Sequence, residues 1–362
     1  MLKDFLRIFT ALIFLASGFV KAVDVKGFSF KLEEYFSPSV FNLPFFEERA
    51  LFLAIFVVAL ELLLGFMLLI KLRLKFTLSA LIGLCVFFAF LTFYSAYYNK
   101  VTDCGCFGDA IKFTPWQSFV KDIILLLLLL VLYYLHRYDF VKLLPKKPNK
   151  YVAFSVFVVA MGMVILHGIL HEPLIDFRAY KIGTDLKSER QKINQNPDVY
   201  KTFYVLKNKK TAEEKKVNQD DYVNDKQYWE EGTVWEILND KTTSEIVKNG
   251  YSSEISKFRL EDETGNDISE QIINLPKVHL LFIYKPKEVS AEKLASAEKY
   301  LINLDKDTPV YGITTENGYF KTIPNLIMDA TPIKTIARSN PFVVTLQNGI
   351  ITEKKSLHDF MK

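Results

Sequence analysis

Long apolar runs joined by short polar connections fill the first half of the chain, and ordinary globular sequence fills the second half. A helix needs about 20 mostly apolar residues to cross a bilayer. Five runs are of this length, at residues 5–23, 50–70, 76–98, 117–135 and 151–170. The first run is interpreted as a retained span, because no small-x-small cleavage site follows it. The pattern therefore predicts an α-helical membrane bundle with five transmembrane helices.

Strand and helix patterns alternate near the C-terminus. Residues 278–284 are a continuous apolar run, typical of a buried parallel strand. An amphipathic helix at 291–302 and a second strand at 309–314 follow, which predicts a parallel pair with a right-handed crossover. Asn348-Gly349 between two apolar runs predicts a hairpin. A short helix is expected at 355–362.

Shifts in composition divide the chain into four parts. The membrane domain is expected at 1–140, a cytoplasmic connection with the fifth helix at 141–170, a polar β-rich insert or linker at 171–262 and an α/β domain at 263–362.

Lysine and arginine indicate how the helices cross the membrane. The net charge of +4 is small and the basic residues are interspersed, which gives little support for nucleic-acid binding. Basic residues collect in the connections after spans two and four, and cytoplasmic loops carry such an excess. An odd number of spans then places the loop at 99–116 and the C-terminal domain on the outer, periplasmic side of a bacterial cytoplasmic membrane. Disulfides form and persist in that compartment.

Cys104 and Cys106 lie in this outer loop, separated by Gly105. One interpretation is a redox pair, because a disulfide closed over a single residue departs from relaxed geometry and is easier to reduce. A structural disulfide and a pair of metal ligands are the alternatives. Zinc sites usually have four nitrogen or sulfur ligands, and no histidine is nearby in sequence, so no metal site is assigned.

Other polar residues of the membrane part carry weaker signals. Glu61 lies mid-way along span two, where an ionisable group serves proton movement, shapes a quinone pocket or fixes helix packing through a hydrogen bond. Lys21 is expected to reach the membrane interface. Asp109 is expected to keep its loop solvated or to affect a thiolate pKa. His167 and His171 share a helix face at i, i+4 spacing, as packing residues or as ligands.

The N-terminal part resembles the DoxX/MauE family of small polytopic membrane proteins. The resemblance rests on Ser-Gly-Phe-Val-Lys-Ala at 17–22, Glu-Leu-Leu-Leu-Gly at 61–65, and Asp-Cys-Gly-Cys-Phe-Gly-Asp at 103–109 followed by Thr-Pro-Trp at 114–116. It implies a four-helix core, to which this chain adds a fifth span. It also implies a link to methylamine utilisation, where MauE is thought to act with a thioredoxin-like partner, MauD, in forming disulfides of an amine dehydrogenase subunit.

The C-terminal domain resembles the thioredoxin-like fold. Ser339-Asn340-Pro341 stands where that fold has its cis-proline. The position of the usual Cys-x-x-Cys is taken by residues 285–288, Lys-Pro-Lys-Glu, and no cysteine follows Cys106. The domain is therefore expected to lack dithiol chemistry of its own.

Two functions are consistent with these features. In the first, Cys104 and Cys106 are the catalytic pair of an extracytoplasmic thiol–disulfide system, which passes electrons towards a membrane quinone near Glu61. Its partners are then a separate thioredoxin-like carrier or a periplasmic client. In the second, the protein is a non-enzymatic membrane scaffold or assembly factor, Cys104–Cys106 is a structural disulfide, and the C-terminal domain binds a partner.

Overall fold

The computed structural model describes residues 1–101, 105, 107–111, 113–138 and 148–362. The chain forms two compact units. One unit combines Met1–Thr184 with Leu260–Lys362, and the other is Asp185–Arg259. The connection expected at 141–170 falls in part on residues 139–147, which lie outside the described residues, as do Cys104 and Cys106.

Within the described residues, five helices are long and apolar enough to cross a membrane, as predicted. Four of them share an apolar core that includes Phe14, Leu68, Leu81 and Leu129. The last packs on the first and on the second long helix, where Phe157 stacks on Phe66 at 4.1 Å between ring centroids. The five helices are α1 (Leu2–Val23), α4 (Ala50–Leu69), α5 (Leu74–Tyr98), α6 (Pro115–Leu135) and α7 (Pro148–Leu170).

Two short helices, α2 (Val25–Phe36) and α3 (Pro44–Glu47), lie between α1 and α4. The apolar face of α2 packs on α4 through side chains such as Phe28 and Leu32. Asp24 starts α2 by accepting a hydrogen bond from the backbone N–H of Gly27. Such a cap satisfies one of the N–H groups that have no partner within the helix.

Helix α6 begins where the Thr-Pro-Trp run places it. Thr114 and Gln117 form a reciprocal capping box, and Pro115 occupies the first helical position. Proline is favoured there because its missing N–H would have no partner within the helix. The local sequence therefore fixes where the segment after the cysteine loop becomes helical.

A five-stranded sheet forms the core of Leu260–Lys362, in the order β7–β6–β5–β8–β9. The central strand β5 pairs in parallel with β6, as predicted, and antiparallel with β8. Helix α11 connects β5 to β6 and covers one face of the sheet with Leu294, Ala297 and Leu301. The strands are β5 (Lys277–Ile283), β6 (Val310–Thr314), β7 (Asn325–Ile327), β8 (Phe342–Gln347) and β9 (Ile350–Ser356), and the helices are α10 (Ser269–Ile273), α11 (Ala291–Leu304), α12 (Ala330–Ile336) and α13 (Leu357–Phe360).

The local signals of this domain are confirmed. Asn348 and Gly349 have φ values of 49° and 82° and connect β8 to β9, the left-handed conformations that a tight hairpin requires. The peptide bond between Asn340 and Pro341 is cis. The terminal helix is shorter than predicted, because β9 continues to Ser356 before α13 begins.

The second unit, Asp185–Arg259, contains a four-stranded antiparallel sheet with β1 at its centre. Tyr204, Leu206, Val217, Tyr228 and Trp235 form its small apolar core. Its elements are α8 (Leu186–Gln195), β1 (Val199–Asn208), β2 (Glu214–Asn218), α9 (Gln219–Asn224), β3 (Trp235–Ile237) and β4 (Thr243–Lys248).

Candidate functional site

The cysteine loop is described by the residues around its thiols. Gly105 has a φ of +64°, and a Cβ at that position would lie 3.0 Å from the Cγ of Lys31, a residue of α2. Phe107 lies 5.9 Å from Phe113 between ring centroids, and the Nζ of Lys121 lies 5.6 Å from the Phe107 ring. Gly105 therefore lies against α2, and Phe107 lies against the first turns of α6.

Arg338 connects the sheet domain to this loop. Its Nε donates to both carboxylate oxygens of Asp24 at 2.8 Å, and its Nη2 donates to Asp109 Oδ2 at 2.7 Å. The Arg338 side chain is 4% exposed. A buried guanidinium with two carboxylate partners is favourable only in this paired state, because either partner left alone would be a desolvated charge.

Asp109 was expected to be solvated or to act on a thiolate, and its pairing with Arg338 gives it a different role. Burial opposes the charge on Asp24, but the guanidinium of Arg338 and then that of Arg178 outweigh burial and hold the pKa of the Asp24 carboxyl below its usual value. Gly27 leaves the space for this pair, since a Cβ there would lie 2.7 Å from Arg338 Nη2.

Helix α2 makes further contacts with the sheet domain. Glu33 accepts a hydrogen bond from Lys334 at 2.8 Å and lies 3.6 Å from the Nζ of Lys285. Phe30 meets Tyr284 edge to face at 5.6 Å. These contacts place acidic and aromatic side chains of α2 opposite basic and aromatic side chains of the sheet domain.

The contacting edge of the sheet domain is the one that carries the cis peptide bond. Asn340 accepts a hydrogen bond from the Tyr284 N–H at 3.2 Å and donates to the Lys285 carbonyl at 2.9 Å. The segment after β5 and the segment before β8 are thereby held side by side. This edge carries residues 285–288 and the cis peptide bond before Pro341.

A second set of ion pairs fixes the sheet domain to the segment that follows α7. Arg178 donates to Glu172 at 2.8 Å, to Asp176 at 2.6 Å and to the carbonyl of Ile336 at 3.1 Å. Lys354 in β9 donates to Asp176 at 2.6 Å. Burial opposes the charge on Asp176, but the charges and hydrogen bonds of Arg178 and Lys354 prevail and lower its pKa to about 2. Burial, followed by the charge of Arg178, lowers the pKa of Lys354 to about 8.

Glu61 forms a buried ion pair with Lys21 inside the helix bundle. The Lys21 Nζ lies 2.6 Å from Glu61 Oε2 and donates to Ser17 Oγ at 3.1 Å. It also lies 4.8 Å from the centre of the Phe88 ring. The Lys21 side chain is 2% exposed, so the expectation that it reaches the membrane interface was wrong. The Glu61 carboxylate on the neighbouring helix α4 pairs with the Lys21 ammonium group inside the bundle, so the side chain does not extend to water.

Asp122 in α6 forms a second buried polar centre. Its carboxylate lies 2.6 Å from the Nζ of Lys121 and accepts a hydrogen bond from Thr92 at 3.1 Å. Cys85 donates its S–H to the backbone carbonyl of Asp122 at 3.3 Å. Neither Lys121 nor Asp122 was singled out from the sequence. Two adjacent charges at the start of an otherwise apolar span are the signal that points to them.

The two polar centres line one cavity of about 10 Å³, a volume with room for one water molecule. Its wall contains Lys21, Glu61, Cys85 and Asp122, and it also contains Phe107, the residue after Cys106. This space is smaller than a quinone ring, and quinone binding beside Glu61 stays a prediction. The name intramembrane polar cluster denotes the charged and hydroxyl side chains around this cavity, which are Ser17, Lys21, Glu61, Lys121 and Asp122.

His167 and His171 stack at 4.9 Å near the end of α7, and His171 Nδ1 lies 2.9 Å from Asp359 Oδ2. The hydrogen bond from His171 is the main cause that lowers the pKa of Asp359 to about 2. Across the part of the chain that the structure describes, no group of three or more His, Cys, Asp or Glu side chains is arranged to hold a metal ion.

Comparison with known proteins identifies the membrane part. Residues 1–135 match the family model described as methylamine utilisation protein MauE. Neither the curated proteins nor the solved structures contain a significant match. Together with the five long apolar helices, the match makes the chain a multi-pass membrane protein with a MauE-like N-terminal domain.

Proposed function

From this MauE-like membrane domain we propose a role in extracytoplasmic thiol–disulfide chemistry, with Cys104 and Cys106 as the redox pair. The sheet domain is then a thioredoxin-like docking module that lacks cysteines and is held against the loop that contains the pair. The observation that carries the proposal is Arg338, which joins the edge next to the cis-proline to Asp109, three residues beyond Cys106.

The chemistry is a two-electron exchange. A disulfide between Cys104 and Cys106 takes two electrons and two protons from the dithiol of a client or carrier protein, which becomes a disulfide while the pair becomes two thiols. A two-electron acceptor then restores the pair. We expect this acceptor to be a membrane quinone held by the helical bundle.

Docking explains how a domain without cysteines contributes. A module fixed beside the pair keeps its own binding surface at a high local concentration and therefore presents a bound client to the thiols. The thiol chemistry then resides in the membrane domain, and the sheet domain selects or orients the client.

The test compares wild type with the Cys104→Ser/Cys106→Ser variant. Disulfide formation in periplasmic proteins and trapped mixed disulfides are measured in the same cells, with Cys85→Ser as the matched cysteine control. We expect both signals to be lost in the double variant and retained in the control. Equal signals in all three proteins would exclude the redox role.

A structural role for the pair is the second candidate, and the density of ion pairs around Arg338 and Arg178 favours it. Such a network suits a permanent assembly whose disulfide fixes the loop. A redox titration separates the two functions. A potential in the range of about −120 to −270 mV supports catalysis, and one below roughly −300 mV supports a structural disulfide.

A further inference from the structure

The intramembrane polar cluster has features that helix packing alone does not require. Two lysine–carboxylate pairs, from α1 to α4 and within α6, line the same small cavity. Ionisable groups within a membrane are costly to bury and are typically found on proton or ion pathways. Apolar side chains would pack these helices at lower energetic cost.

The cavity also extends to the cysteine loop. Phe107 is part of its wall, and Lys121, whose Nζ faces the Phe107 ring, pairs with Asp122. Asp122 is the eighth residue of α6, about 10 Å from the start of the helix at 1.5 Å per residue. The polar groups of the cavity therefore begin beside the ring of Phe107, the residue after Cys106, and extend into the bundle.

We propose that this cavity is a proton-binding site in which the carboxylates of Asp122 and Glu61 take up protons released when Cys104 and Cys106 are oxidised. The inference rests on the proposed redox function of the pair. Oxidation of the two thiols forms one S–S bond and releases two electrons and two protons. The two electrons go to the quinone, which takes up two protons from solvent as it becomes a quinol, and the two thiol protons pass to the carboxylates through the water that the cavity can hold.

The groups that face the two carboxylates are all able to donate hydrogen bonds. Lys21 and Ser17 face Glu61 from α1, while Thr92 and Lys121 face Asp122 from α5 and α6. Each carboxylate is therefore close to an ammonium group and a hydroxyl, and the cavity connects the two sets.

Infrared difference spectroscopy of the full-length protein in detergent tests the site. Ferricyanide serves as the oxidant because it accepts electrons and no protons, and a thiol count at each step verifies that the pair has been oxidised. We expect a protonated-carboxyl band to appear on oxidation of the wild type. The band should be lost or strongly reduced in Asp122→Asn and in Glu61→Gln.

Two further variants keep the test independent of folding defects. Asp4→Asn is the matched control. The Asp4 carboxylate lies 2.5 Å from the Nζ of Lys71 and does not line the cavity, so the spectrum of this variant should equal that of the wild type. Thr92→Val keeps every charge and removes only the hydroxyl that donates to Asp122, so the band should shift in frequency without being lost.

The outcomes separate this inference from the function on which it rests. If the thiol count shows that Cys104 and Cys106 do not interconvert between thiols and disulfide, both the redox function and the proton site are excluded. A pair that cycles with no carboxyl band, or with a band that both carboxylate variants retain, leaves the redox function in place and overturns the proton site.

Discussion

Arg338 and Asp109 are 229 residues apart in sequence, and their side chains form a hydrogen bond of 2.7 Å. One of them precedes a cis-proline in the sheet domain, and the other closes the segment that begins with the cysteines. The Arg338 side chain therefore couples the position of the sheet domain to the segment that contains Asp109. Changes in one should be measurable in the other.

Removing the guanidinium should release the sheet domain from the loop. In Arg338→Ala, Asp24 and Asp109 lose their guanidinium partner, and loss of one partner of a buried ion pair typically costs about 3 kcal/mol or more. We expect faster hydrogen exchange in α2 and faster maleimide labelling of the reduced pair. Lys355→Ala is the matched control, because the Lys355–Glu353 pair is exposed and contributes about 1 kcal/mol or less. Unchanged exchange in α2 would show that Arg338 does not hold the domain.

A methyl group at position 27 should weaken the same contact without removing any charge. The Cβ of Gly27→Ala would lie 2.5 Å from Asp24 Oδ2 and 2.7 Å from Arg338 Nη2. We expect maleimide to label reduced Cys104 and Cys106 faster than in the wild type, as in Arg338→Ala. Gly83→Ala, where a Cβ meets open space, should label at the wild-type rate. A wild-type labelling rate for Gly27→Ala would mean that the Asp24 and Arg338 side chains can shift to accommodate the methyl group.

Acid should destabilise the attachment of the sheet domain to the segment after α7. The pKa of Asp176 is about 2 in the folded protein and 3.8 for the ordinary group. Because the folded-state value is the lower one, the stabilisation is complete above pH 4, and it is lost as the pH falls towards 2. The difference corresponds to roughly 2 kcal/mol. Hydrogen exchange of β9 measured against pH should show this loss. Asp176→Asn should be less stable at neutral pH and should show a flatter dependence on pH.

The Lys21–Glu61 pair should behave as a coupled unit. Lys21→Met leaves a buried carboxylate and should lower stability by about 3 kcal/mol or more. The double variant Lys21→Met/Glu61→Leu should lose less unfolding free energy than the two single variants lose together. Denaturation in mixtures of detergent and SDS measures these losses as a double-mutant cycle. Lys71→Met, in a half-exposed pair with Asp4, should cost about 1 kcal/mol or less. Additive losses of unfolding free energy would show that the two side chains do not interact in the detergent-solubilised protein.

The fifth long helix should depend on one glycine for its position. A Cβ on Gly168 would lie 2.9 Å from the carbonyl oxygen of Val23, a backbone atom that cannot move alone. Gly168→Ala should therefore push α7 away from α1 and cost about 1–3 kcal/mol. Gly162→Ala in the same helix meets open space and should be neutral or slightly stabilising. Thermal denaturation of the two variants in detergent gives the comparison, and equal melting temperatures would contradict the close approach.

The sequence predicts elements whose signals are local. The apolar runs of α4 and α5 are long and unbroken, and their predicted bounds differ from the structure by only one or two residues. Asn348-Gly349 specifies its hairpin because few other residue pairs accept two positive φ values. In these segments the residues themselves carry the information.

Contacts between distant segments were beyond sequence patterns. Glu61 was recognised as a buried charge, but its partner Lys21 depends on how α1 packs against α4. Arg338 resembles any surface arginine in sequence, and only the docked arrangement gives it Asp24 and Asp109. Cys104 and Cys106 remain a prediction from the motif alone.

The attachment of Asp176 to Lys354 sets a limit on how far the sheet domain can travel. Asp176 comes six residues after the end of α7 at Leu170, and six extended residues span about 20 Å. If the Arg338 contacts break while the Lys354–Asp176 pair stays formed, the domain stays close to the end of α7 and can rebind α2 in competition with a separate protein. A separate protein that competes for the α2 surface would therefore have to be present at high concentration, or bind the chain at a second site, to reach the thiols.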